Sequence, residues 1–122
     1  MPDTVRTLAL AAALAAFAPP MAFASGACDF YAGSGYSGEA FTLYSGHVLL
    51  TDAVDPQLVA SITGGTAYQS FTDPRWKGRV ASVRVQPGCT ATMSDGSSRP
   101  QYATDTSNIG AYRAIAYACV CR

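Results

Sequence analysis

Two patterns divide the chain. From Leu8 to Ala18 runs an uninterrupted apolar stretch of Ala and Leu with one Phe, closed by Pro19-Pro20. Beyond residue 25 that character disappears. Short β-prone runs follow one another, separated by Gly, Asp, Ser and Pro: Cys28–Tyr31, Ala40–Tyr44, His47–Leu50, Leu58–Ile62, Ala67–Phe71, Val80–Val85, Thr90–Met93, Gln101–Ala103 and Tyr112–Val120. Several alternate with period two. In Ser82-Val83-Arg84-Val85 the valines share one face while Ser82 and Arg84 share the other, the pattern of a half-buried strand. Regular short strands with turn signals between them predict an all-β sandwich or barrel. Asp55-Pro56 is a place for one short helical turn, since Pro suits a first helical position. Gln86-Pro87-Gly88 reads as a mid-chain turn.

The first stretch is expected to be removed rather than folded. Arg6 and the amino terminus make a weakly positive start, diluted by Asp3. The apolar run follows, and Ala22-Phe23-Ala24 sets small residues where a signal peptidase reads them. The run is too short to span a bilayer, which takes roughly 20 apolar residues. Residues 1–24 are therefore read as a signal peptide and 25–122 as the mature domain. The product is expected to be secreted or periplasmic and not membrane-embedded.

The four cysteines all lie in the mature part: Cys28, Cys89, Cys119 and Cys121. An even count in a short exported chain predicts two disulfides. Three pairings are open. Cys119–Cys121 ranks last, on the expectation that these two strand positions point to opposite faces. The other two each tie the last strand to both Cys28 and Cys89. A zinc site is disfavoured, because no Cys-x-x-Cys pair exists and His47 is the sole histidine.

Charge narrows the function. Eight Lys and Arg balance eight Asp and Glu, so there is no electrostatic footprint for nucleic acid or an anionic membrane. Catalysis is not expected. No Gly-x-Ser-x-Gly elbow surrounds a serine, oxidised cysteines are poor nucleophiles, and Glu39 is the only glutamate.

The most informative segment is Cys28-Asp29-Phe30-Tyr31-Ala32-Gly33-Ser34-Gly35-Tyr36-Ser37-Gly38-Glu39-Ala40-Phe41. Tyr31, Tyr36 and Gly38 suit a strand that folds over into a hairpin, with Gly38 free to take a positive φ. This segment resembles the Greek-key signature of the βγ-crystallin family. Trp76-Lys77-Gly78-Arg79-Val80-Ala81-Ser82-Val83-Arg84-Val85 is similar to that family's closing stretch, with Ser82 at the serine position. The second half matches less well. Met93 and Ser98 stand at the aromatic positions, Pro100 at the glycine and Ala114 at the serine. The first key, about 26–86, carries extra residues between about Thr51 and Thr72. The second, degenerate key covers about 88–122.

The resemblance implies two face-to-face sheets with one strand exchanged between the keys. The expected core is Phe30, Phe41, Leu43, Leu49, Ile62, Val83, Val85, Ile115 and Tyr117. It also implies calcium, which microbial members hold through a pair of Asn or Asp residues just before the closing serine. Here those positions are Lys77 and Gly78, and in the second key they fall near Ile109 and Gly110, with Asn108 just outside. These lack the hard oxygen donors calcium needs, so no cofactor or metal ligand is expected. Two function classes follow. One is an exported structural or binding module without catalytic activity. The other is a protease inhibitor, because small secreted bacterial metalloproteinase inhibitors share this fold, size and two disulfides. Its partner would be an extracellular protease. The inhibitory loop would be Pro87–Ala91, or Gly64–Lys77 with Tyr68, Phe71 and Trp76 exposed.

Overall fold

The computed structural model describes residues 26–65 and 67–122. The expected signal peptide and its cleavage point lie outside the described residues. Among these, one short helix and one 3-10 turn aside, the elements are strands: β1 Ala27–Gly33, β2 Ser37–Tyr44, β3 His47–Leu50, β4 Gln69–Thr72, β5 Ser82–Val85, β6 Cys89–Ser94, β7 Gln101–Tyr102 and β8 Ala116–Cys121. Helix α1 (Pro56–Thr63) and a 3-10 turn at Pro74–Trp76 lie between β3 and β5.

Two sheets result. One has the order β2-β1-β5, the other β4-β3-β8-β6-β7. The chain has an all-β Greek-key fold with one short helix, and the two halves trade segments. Strand β3, from the first half, pairs with β8 in the second-half sheet (Leu49 opposite Tyr117). In return Thr106 bridges to β5. Its N–H donates to the Val83 carbonyl at 2.9 Å and its carbonyl accepts from Val83 N–H at 3.0 Å. The first exchange is a strand; the second is a single bridge.

Burial explains the pairing. Period-two alternation sends Cys28 and Phe30 of β1 inward, both with no exposure. Strand β8 is covered on both faces. Tyr117, Cys119 and Cys121 belong to the core between the sheets, whereas Ala116 and Ala118 lie in a second cluster with Val48, Val59 and Ile62. Small alanines let α1 approach that outer face closely.

The extra residues of the first key build α1 and β4. The run Leu58–Ile62, expected as β, is helical instead. Asp55 caps it by accepting from Gln57 N–H at 2.8 Å, Pro56 occupies the first turn, and Gly64 ends it with φ +73°. Val59, Ile62 and Thr63 are its buried residues, the i, i+3, i+4 spacing of one helix face. The helix lies against β8 and β6, and that tertiary cover overrides the β preference of Val and Ile.

Other expectations are corrected in detail. The strand expected from Tyr112 starts only at Ala116. Phe41, Val85 and Ile115 are half-buried rather than core, although Phe41 and Val85 pack against it. Trp76, Met93, Val48, Val59 and Val80 are buried and were not foreseen. Cys119 and Cys121 point to the same face, as positions i and i+2 of a strand must, with their sulfurs 3.8 Å apart. They do not bond to each other because each faces a nearer partner. The disulfides are Cys28–Cys119 and Cys89–Cys121. The first ties the two sheets together. The second joins directly opposed residues of β6 and β8.

Candidate functional site

Tyr31, Tyr36, Gly38 and Ser82 come together at the β1–β2 hairpin. The chain folds back at Tyr36, whose φ of +61° is the one positive value among described non-glycine residues. Such backbone costs on the order of 1 kcal/mol or more for a bulky residue. Three contacts hold it. The Tyr36 N–H donates to Ser82 Oγ at 3.0 Å. The Tyr31 and Tyr36 rings meet edge to face with centroids 5.9 Å apart. The Arg84 guanidinium lies 4.3 Å above the Tyr36 ring, within cation–π range. Ser82 is fully buried, and its hydroxyl donates to the Gly33 carbonyl at 2.6 Å. One serine thus satisfies a donor and an acceptor of the folded hairpin. Gly38 has φ +80°, a region L side chains resist. This constellation shapes the fold; it presents no reactive group.

The positions that the resemblance assigns to calcium do not fit it. Lys77 Nζ pairs with Asp52 at 2.9 Å, which places a cation where a donor oxygen is required. Gly78 has no side chain and gives its N–H to the Ala114 carbonyl at 3.0 Å. Asn108 Oδ1 already accepts from Gly110 N–H at 2.9 Å. Among the described residues the converging metal-ligand trio is Cys89, Cys119 and Cys121, with sulfurs within 4.8 Å of one another. All three sulfurs are in disulfides.

A different surface emerges at the free edge of the five-stranded sheet. Strand β4 runs parallel to β3, with His47 opposite Gln69 and Leu50 opposite Thr72. All four β4 residues are exposed. Among the described residues, Tyr44, Tyr68 and Phe71 are the large hydrophobic residues left open, at 58%, 46% and 42% exposure. His47 sits between two of them, its ring 5.7 Å from Tyr44 and 5.2 Å from Phe71, both edge to face. Its Nδ1 accepts from Tyr44 N–H at 3.3 Å. Just past β4, Asp73 accepts from the Arg75 side chain at 2.8 Å, and that guanidinium holds the carboxyl below its ordinary range. Arg75 and Arg79 both reach Glu39.

Of the three aromatic residues expected to be exposed in Gly64–Lys77, Tyr68 and Phe71 are exposed and Trp76 is not. Trp76 is 2% exposed. Its ring meets Phe41 at 4.6 Å, with Arg79 stacked over it at 4.9 Å, and its carbonyl accepts from Tyr117. Tyr44 and His47 were missed as surface groups. Their spacing across Ser45-Gly46, a turn between two strands, was the available signal.

Of the two loops suggested for inhibition, Pro87–Ala91 is unsuited. Cys89 N–H closes a turn onto the Gln86 carbonyl at 3.0 Å, Arg122 N–H covers the Gly88 carbonyl at 2.8 Å, and Ala91 is fully buried. Gly64–Lys77 contains the exposed, extended β4.

Solved structures with this architecture are βγ-crystallin domains. A βγ-crystallin domain from Clostridium beijerinckii superposes with a TM-score of 0.52 at 16% identity, covering 77% of this chain and 97% of that one. The βγ-crystallin domain of Abundant Perithecial Protein from Neurospora crassa, in its Ca2+-bound form, gives 0.52 at 12% identity over 84% and 96%. Hahellin, a βγ-crystallin, gives 0.51 at 14% identity over 79% and 92%. The fold is therefore that of a βγ-crystallin domain; at these identities the likeness extends to architecture alone. No protein-family model matches the chain, and no curated protein matches it.

Proposed function

We infer that this chain is exported and acts as a disulfide-stabilised binding or structural module without catalytic activity. The observation that carries the reading is the pair of bridges, one of which joins the two sheets. Bridges of this kind persist in oxidising compartments, in keeping with the leader-like pattern of residues 1–24. Among the described residues no helix is long and apolar enough to cross a membrane. The exposed Tyr44 and Phe71 beside His47 offer contact area for a partner, and exposed Tyr68 precedes β4. The test is expression of the full chain in a bacterial host, followed by mass measurement of the product outside the cytoplasm. The expected product begins at Ser25 and lacks free thiols. Full-length, reduced protein confined to the cytoplasm would refute export.

A second reading, protease inhibition, draws on one feature. Strand β4 is extended, exposed and pinned at both ends, by Gln69 N–H to the Gly46 carbonyl and Asp73 N–H to the Leu50 carbonyl, each at 2.9 Å. A rigid extended segment loses little entropy on entering a cleft. Titration against a thermolysin-like protease decides it. Undiminished proteolysis at a large molar excess rules the reading out.

A further inference from the structure

The four sheet edges are not equally protected. At the β2 edge, Glu39 stands in ion pairs with Arg75 and Arg79, and the β1–β2 register slips near Gly33. The β5 edge is occupied by Thr106. Strand β7 is two residues long. Charges, bulges, covering segments and shortness are the usual defences of an edge strand. Strand β4, four residues long, carries no charge, bulge or covering segment among the described residues. Tyr68-Gln69-Ser70-Phe71-Thr72 contains no charge and no proline, and every residue in it is exposed.

The hydrogen bonds to β3 fix which backbone groups are open. Gln69 and Asp73 direct their N–H groups to β3. Period-two alternation turns Phe71 the same way and sends the N–H and C=O of Ser70 and Thr72 outward. Among the described residues nothing pairs with them.

We propose that strand β4 is a self-association edge, at which a second copy of this chain adds its own β4 antiparallel about a two-fold axis at Phe71. The register is self-complementary. Ser70 falls opposite Thr72 of the second copy, so each pair exchanges two main-chain hydrogen bonds. Phe71 falls opposite its counterpart on the same face, in the close non-hydrogen-bonded spacing of about 4.5 Å between Cα atoms where aromatic pairs stabilise sheets. Gln69 meets Asp73 of the second copy, an amide beside a carboxylate. Charge permits it: the chain is formally neutral, so two copies approach without the net repulsion that keeps charged domains apart. Area sets the strength. Five residues from each copy bury well below the roughly 1,200 Å² of a stable interface, so the dimer forms by mass action at high concentration and falls apart on dilution.

Sedimentation equilibrium on the purified, oxidised protein, from micromolar to about 1 mM, tests this. The expected result is a monomer–dimer equilibrium whose dissociation constant rises at least tenfold in Ser70→Pro. That change deletes an outward N–H and leaves the bonds to β3 in place. Phe71→Lys, which puts a like-charged pair on the axis, gives the same loss and serves if the proline variant misfolds. Gln101→Lys on β7 leaves association unchanged. Amide exchange at Ser70 and Thr72 slows as concentration rises. A protein that stays monomeric to 1 mM overturns the proposal. So does a dimer that survives both β4 substitutions, because its interface then lies elsewhere.

Discussion

The Tyr117 hydroxyl donates to the main-chain carbonyl of Trp76 at 2.6 Å, across 41 positions of sequence. It joins the last strand to the 3-10 turn that follows β4. Tyr117 has no exposure, and its ring packs against both Phe30 and Phe41. Burial pushes its ionisation well above the ordinary tyrosine range. The folded state therefore favours the neutral phenol. Its contribution is complete below about pH 10, the ordinary value for an unfolded tyrosine. It is lost as pH climbs from there toward the raised folded value, where the unfolded chain ionises first. Tyr117→Phe is expected to cost about 1 kcal/mol at neutral pH, since the Trp76 carbonyl keeps the Arg79 N–H at 3.2 Å. It should also flatten the alkaline fall in stability. Urea titrations at pH 7 and above pH 10 measure both effects. Tyr102 and Tyr112, likewise raised by burial, leave a smaller residual slope. An alkaline slope that Tyr117→Phe leaves unaltered would contradict this assignment.

Ser82→Ala removes two hydrogen bonds at once. The Tyr36 N–H and the Gly33 carbonyl lose a fully buried partner, while Tyr36 must still hold its positive φ. The expected loss is about 1–3 kcal/mol. Faster amide exchange should appear at Tyr36, with little change in the β6–β8 ladder. Chemical denaturation and residue-resolved exchange together check the size and the place.

How much of this was legible in the sequence depends on the range of the interaction. The hairpin was readable because Tyr31, Tyr36, Gly38 and Ser82 act through local spacing and one return of the chain. Helix α1 was half-readable: Asp55-Pro56 marked its start, but Val59 and Ile62 carry a β preference that only the surface of Ala116 and Ala118 reverses. Trp76 was misplaced because Gly78 and the charges of Arg75, Lys77 and Arg79 around it look like a solvent loop. Arg79 instead lays its guanidinium over the indole, and all three of those charges end on Asp52 or Glu39. The β4 surface was glimpsed through Tyr68 and Phe71. That it is an edge strand depends on a parallel pairing with β3, a non-local contact that no local spacing encodes.

Ala118→Leu tests the second cluster. Ala118 is fully buried beneath α1 with Val59 and Ile62, so three added carbons have no void to enter. Overpacking of this kind costs about 1–3 kcal/mol, and α1 is the element free to move. The variant should lose stability by thermal melting and expose the amides of Val59 to Thr63. The disulfides should stay intact, because the sulfurs lie on the opposite face of β8.

The two bridges should differ in worth. Cys28–Cys119 closes a separation of 91 residues and Cys89–Cys121 one of 32. The chain-entropy relation gives about 4.6 and 3.7 kcal/mol, with the longer loop ahead by roughly 1 kcal/mol. Each bridge has to be removed as a pair. Cys28→Ser alone leaves a Cys119 thiol 3.8 Å from the Cys121 sulfur, placed to attack the remaining bridge by thiol–disulfide exchange. The single variant is therefore expected to yield a mixture of Cys89–Cys121 and Cys89–Cys119 or Cys119–Cys121 species on peptide mapping. Cys28→Ser with Cys119→Ala should give one bridge and a lower melting temperature than Cys89→Ser with Cys121→Ala. Equal melting temperatures for the two double variants would mean that loop length does not set the stability of these bridges.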